Sequence, residues 1–168
     1  AGTMNWGTFN TEPEAFEQLD YAVSAGVNFL DTAEMYPIPP SREKQGLTET
    51  YLGNWLKARG NRSSLIIASK VSSRNRAGMM ATRDASAGLT KENIALSIDV
   101  TLSRLQTDHV DLYQVHVPDR KANYFGVRGY EERMDDGGAS IEETLEGLAA
   151  IIKAGKVRYI GISNETAW

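Results

Sequence analysis

The chain has 168 residues, 41% hydrophobic and 24% charged, with a formal net charge of -4 and an isoelectric point near 5.3. That composition fits one soluble globular domain with ample material for a core, and its dispersed Lys and Arg lack the basic field of a nucleic-acid binder. With no cysteine there is no disulfide or thiol chemistry, and neither a membrane-length apolar run nor a signal-peptide pattern is visible, so the expected location is the cytoplasm.

In chain order, residues 1–4 read as a strand end. A helix follows in TEPEAFEQLDYAVSAG: Thr11 is the N-cap with Glu14 three residues later, Pro13 lies in the first turn, Phe16, Leu19 and Val23 recur at helical spacing, and Gly26 is the stop. The short apolar strand VNFLDTA leads into a proline-rich loop. In LTETYLGNWLKARG, Leu47, Tyr51, Leu52 and Trp55 or Leu56 form an amphipathic face, and SLIIASKV is the next strand. Beyond a loop rich in Gly, Ser and Arg, Ile94, Ile98, Leu102 and Leu105 share one helical face before the strand HVDLYQVHV. SIEETLEGLAAIIKAGK repeats the design, with Ser140 and Glu143 as a capping box and Gly155 as its end, ahead of the strand VRYIGISN.

This alternation predicts a parallel sheet, because each strand must return through a helix to pair in the same direction. A doubly wound sheet would place a glycine-rich phosphate loop directly after the first strand, and GTMNWGTFNTEP contains no G-x-G-x-x-G. A (β/α) barrel predicts instead that polar residues from several strand ends converge on one rim. The strands do end that way: Asp31, Lys70, His116, and Ser163 with Asn164 each sit where an apolar run stops. Singly, such residues are ordinary caps, snorkelling lysines or structural histidines. Recurring at successive strand ends, they point to a shared site. His109, beside Asp108 at the opposite end of its strand, takes the structural reading.

Four segments in this order, LDTAEMY, IIASKV, DLYQVH and YIGISNE, resemble the aldo-keto reductases, and the likeness spans nearly the whole chain. TETYLGNWL and LTKENIALSIDVTLSRLQTDHVDLYQVHVPD are similar to the branch containing bacterial Tas-type proteins and potassium-channel β subunits. The resemblance implies an α/β fold, a (β/α)8 TIM barrel that is partial here at about five β/α units, as a single domain over residues 1–168. It implies NADPH-dependent reduction of aldehydes or ketones to alcohols, with a catalytic tetrad of Asp31, Tyr36, Lys70 and His116 and no metal. In that scheme Tyr36 is the general acid, and the Lys70 ammonium makes the phenol a better donor by favouring the phenolate left behind. Asp31 holds the ammonium in place, and His116 hydrogen-bonds the substrate carbonyl.

The same resemblance assigns Gly2, Thr3, Met4 and Asp31 to the cofactor's nicotinamide and ribose side, and Ser163 and Asn164 to its carboxamide, for which Asn offers both donor and acceptor. Trp6, Val117 and Pro118 would line the substrate pocket, with ordinary packing an equal reading of Trp6. Residues 120–138, with Tyr124, Phe125 and Tyr130, read either as a substrate-covering loop or as a disordered connection.

Five strand signals against the eight of a closed barrel make the expected object a piece of a longer protein, inactive or aggregation-prone in isolation because its sheet edges are open. Self-association into a homo-oligomer would cover those edges. Two other classes stay open at this point: a redox-sensing or regulatory module that binds cofactor with little turnover, and a barrel enzyme using Lys70 as a Schiff base.

Overall fold

The computed structural model describes residues 1–74, 88–120, 129 and 137–165. The elements alternate as α1 (Glu12–Ser24), β1 (Phe29–Asp31), α2 (Leu47–Arg59), β2 (Ile66–Val71), α3 (Lys91–Leu105), β3 (Val110–Val115), α4 (Ile141–Lys153) and β4 (Val157–Ile162). All strand pairs are parallel, in the order β1-β2-β3-β4. The expected first strand shrinks to one bridge, in which Gly2 pairs with Asp31. The chain then turns away, since the Thr3 carbonyl accepts the Trp6 N–H at 3.1 Å. Tyr124, Phe125 and Tyr130 lie outside the described residues.

Local chemistry explains the helix ends. The Glu14 carboxylate accepts both the N–H and the hydroxyl of Thr11, at 2.7 and 2.9 Å, and Ser140 Oγ accepts the Glu143 N–H at 3.1 Å. Gly26 and Gly155 follow the last turns of α1 and α4 at φ +90° and +76°, a region that suits glycine. No helix among the described residues is long and apolar enough to cross a membrane.

Strand alternation divides the sheet into two faces. One carries Leu30, Ile67, Val71, Tyr113 and Val115 into a core with Leu19, Trp55, Ile94, Ile98, Leu105 and Leu148 from the four helices. The other face carries Lys70 and Gln114 toward Asp31 and has no helical cover among the described residues; on it Phe29, Ile66 and Tyr159 remain 41%, 39% and 71% exposed. Parallel sheets are ordinarily buried on both faces.

The α2 helix departs from simple amphipathicity. Leu47 and Tyr51 are only half-buried, while Thr48 and Glu49 lie inside with Leu52, Gly53, Trp55 and Leu56. Gly53 permits the close approach of α3: an added Cβ would lie 2.0 Å from the Arg104 carbonyl oxygen and 2.8 Å from backbone atoms of Leu105. No side-chain rotation relieves a clash with backbone, so overpacking outweighs the helix propensity that alanine gains. Gly53→Ala is therefore expected to lower stability by about 1–3 kcal/mol. Urea denaturation checks this; an unchanged or raised midpoint would show that the helices separate freely.

Candidate active site

Backbone pairing beyond β1 brings the first two rim residues together. Thr32 and Glu34 donate their N–H groups to the carbonyls of Ala68 and Lys70, at 2.9 and 3.2 Å, so the chain after Asp31 runs on beside β2. In that register Lys70 Nζ donates to Asp31 Oδ2 at 2.5 Å and to the Thr32 carbonyl at 2.8 Å. The lysine side chain is 7% exposed and the aspartate 34%, so the pair lies at the mouth of the buried region. Gln114 Nε2 reaches the other carboxylate oxygen of Asp31 at 3.4 Å. Gln114 faces the site because it is two residues before His116 on an alternating strand, a parity cue that the motif DLYQVH carries but that sequence reasoning missed.

Tyr36 lies over this pair. Lys70 Nζ is 5.1 Å from the centroid of its ring, and the His116 ring meets it edge-on, with centroids 5.5 Å apart and planes at 81°. His116 is buried at the end of β3, where its N–H donates to the Val71 carbonyl at 2.9 Å. The expected acidification of the phenol does not occur. Burial, aided by the negative charge of Asp31, pushes Tyr36 up to about 12. Both Lys70 hydrogen bonds go to Asp31 and Thr32, and neither goes to the phenol. The phenol is thus protonated at neutral pH.

These side chains open on a cleft of about 450 Å³ lined by Met4, Met35, Tyr36, Ile38, Pro40, Lys70, His116, Ser163 and Asn164. Asp31 stands behind Lys70. Gly2 and Thr3 adjoin the site through backbone, with Thr3 buried and its hydroxyl donating to the Asp31 carbonyl at 2.9 Å. Trp6 takes the packing reading: it is 4% exposed in the main core, and its indole N–H donates to Gln18 Oε1 at 2.9 Å. Val117 and Pro118 also lie away from the cleft. Val117 follows an inward-facing His116 and is buried, and Pro118 borders a separate apolar cavity with Ile141, Leu145 and Ile162. The cleft's apolar wall comes instead from Met35, Ile38 and Pro40, in the loop EMYPIPP, where no periodicity marks an inward side.

The residues at the end of β4 fit a nicotinamide carboxamide. Asn164, at φ +56°, donates its Nδ2 to the His116 carbonyl at 2.8 Å and to Ser163 Oγ at 3.0 Å. Those bonds leave the Asn164 carbonyl oxygen as an acceptor and the Ser163 hydroxyl as a donor, the pair an amide requires. Among the described residues no group of three His, Cys, Asp or Glu side chains is placed to hold a metal ion.

A one-faced parallel sheet with a Lys–Asp pair, a phenol and an imidazole on its C-terminal rim has the layout of a (β/α)-barrel site. A profile of the Aldo/keto reductase family matches residues 1–168, and the chain belongs to that family. It is 52% identical over 167 residues to Protein tas of Escherichia coli strain K12, covering 99% of this chain and 48% of that protein. It is 30% identical over 166 residues to an aryl-alcohol dehydrogenase [NADP(+)] of Phanerodontia chrysosporium, covering 96% of this chain and 37% of that one. Among solved structures, the holo form of aldo-keto reductase AKR11C1 from Bacillus halodurans superposes with a TM-score of 0.68 at 32% identity, covering 97% of this chain and 44% of that one. The chain thus spans about half the length, or less, of the relatives it matches, and its sheet is part of the family's TIM barrel.

The raised phenol has a consequence for stability. Between about 10, the ordinary tyrosine value, and about 12, the native state retains a proton that the unfolded chain has released, so stability falls as pH rises through that window. Tyr36→Phe removes this component, and its urea midpoint should decline less steeply there than that of the wild type. Equal slopes would show a phenol that titrates as if solvated.

Proposed function

We propose that the protein, in its full length, reduces aldehydes or ketones to alcohols with NADPH, with Tyr36 delivering the proton. The observation that carries this reading is the buried Lys70, paired with the half-buried Asp31, beneath a protonated phenol, with His116 across the same cleft. When bound, NADPH supplies the hydride to the carbonyl carbon. The chain's own residues do the rest. Ser163 and Asn164 hold the carboxamide, and Gly2, Thr3, Met4 and Asp31 border the nicotinamide and ribose. The Tyr36 hydroxyl and His116 hydrogen-bond the substrate oxygen as negative charge develops there. The proton on Tyr36 Oη passes to that oxygen, and the nearby ammonium of Lys70 stabilises the phenolate that remains.

Several features support the wider reading. The Phanerodontia relative is an aryl-alcohol dehydrogenase named for NADP(+), and a holo form is among the structural neighbours. The apolar side chains Met4, Met35, Ile38 and Pro40 suit an uncharged carbonyl compound. The open inner face with Phe29, Ile66 and Tyr159, and Ile160 and Ile162 on β4, would be covered by the strands and helices of a longer chain. The proposed setting is the cytoplasm, where NADPH is at hand.

Tyr36→Phe and Lys70→Met in the full-length protein should lower kcat/KM for carbonyl reduction by roughly 10²- to 10⁴-fold, the range of general acid catalysis. Binding of NADPH, followed by nucleotide fluorescence, should stay within a few-fold of wild type. Undiminished turnover by Tyr36→Phe would remove the tyrosine from its role. Tight NADPH binding with no turnover by the wild type would favour a regulatory module.

A further inference from the structure

The Tyr36 ring packs against Lys70 and His116, its hydroxyl makes no hydrogen bond among the described residues, and its backbone is tied at both its N–H and its carbonyl. Its N–H donates to the Ala33 carbonyl at 3.1 Å, and its carbonyl accepts the Gly46 N–H at 2.8 Å. The reacting oxygen therefore goes where the irregular segment 33–46 goes. Beneath that segment, between sheet and helices, lies a polar layer that the cleft does not touch.

Arg104 of α3 reaches from this layer to the underside of the segment. Its Nη1 donates to the Glu34 carbonyl at 3.3 Å and to Glu49 Oε2 at 3.1 Å, and Gln45 Nε2 donates to the same Glu34 carbonyl at 2.9 Å. The guanidinium also lies against Gly46, where an added Cβ would come within 2.1 Å of its Cζ. Glu49 is wholly buried on α2 and is fixed by Ser69 Oγ at 2.7 Å and Thr101 Oγ1 at 3.0 Å. The Glu34 carboxylate accepts the Ser97 hydroxyl at 2.5 Å and the Ser72 N–H, tying the same residue to α3 and to the end of β2. Two helices thus converge on the two backbone points, Glu34 and Gly46, that bracket Tyr36.

We propose that Arg104, braced by Glu49, is a positioning residue that sets the Tyr36 phenol for proton delivery from behind the cleft. A displacement of about 1 Å in a reacting group costs as much as 10²-fold in rate, so a support of this kind registers in kcat without touching cofactor or substrate. The inference rests on the reductase reading above. It concerns how the tyrosine is held, and so has a readout of its own.

Arg104→Met tests it in the full-length protein. Burial raises the Glu49 carboxyl while the Arg104 charge lowers it, so methionine removes one of the groups that favour the buried anion. The variant should lose about 10- to 100-fold in kcat, with KM and NADPH affinity within a few-fold of wild type. Amide exchange should quicken in residues 33–46 and stay unchanged in β3. Arg104→Lys, which keeps a positive charge and hydrogen-bond donors beside Glu49, should restore part of the rate and of the protection. Unchanged exchange in 33–46, or faster exchange across the whole sheet with a general loss of stability, would overturn the proposal. If the wild type reduces no carbonyl compound, the reductase reading falls, and the exchange comparison still decides whether Arg104 holds the tyrosine segment.

Discussion

The site depends on an ammonium that is almost out of water. Lys70 is 7% exposed in its side chain, and an unpaired charge so placed would cost several kcal/mol. Asp31 and the Thr32 carbonyl offset that cost, and both come from the end of β1. The β1–β2 register, Asp31 against Ala68, is therefore a functional constraint as well as a structural one. A slip of one residue would turn Asp31 to the helix side and leave the lysine unmatched. Continued pairing through Thr32 and Glu34 then sets where the chain leaves the sheet, and so where Tyr36 arrives.

Much of this was legible in the sequence because the signals are local. Thr11 with Glu14, and Ser140 with Glu143, mark helix starts through contacts within one turn. Asp31, Lys70, His116 and Ser163 stand out because polarity breaks in where apolar strands stop, and parallel pairing alone carries those breaks to one rim. What stayed hidden depends on partners distant in the chain. Glu49 sits on a helix whose spacing looks amphipathic, and its burial makes sense only with Ser69, Thr101 and Arg104 around it. The raised Tyr36 phenol is hidden for a related reason: its charged neighbours can be named from sequence, but the burial that dominates them cannot.

The two faces of the sheet divide the labour. The helix side holds the apolar core and the polar layer of Glu34, Glu49, Ser97 and Arg104. The open side holds the cleft, with Phe29, Ile66 and Tyr159 farther along it. Lys70 and His116 stand at strand ends on this side, whereas Tyr36 stands in the loop that follows β1. The substrate wall is built on the loop of Met35, Ile38 and Pro40, where side chains can change without disturbing the strands.

The central claim is that this rim supports hydride and proton delivery to a carbonyl carbon and its oxygen. Its most direct test is label transfer by the full-length protein from NADPH deuterated at the nicotinamide C4, with the product alcohol analysed by mass spectrometry. The account predicts deuterium on the carbinol carbon in the wild type. Bound cofactor that passes no label to any carbonyl compound would contradict it.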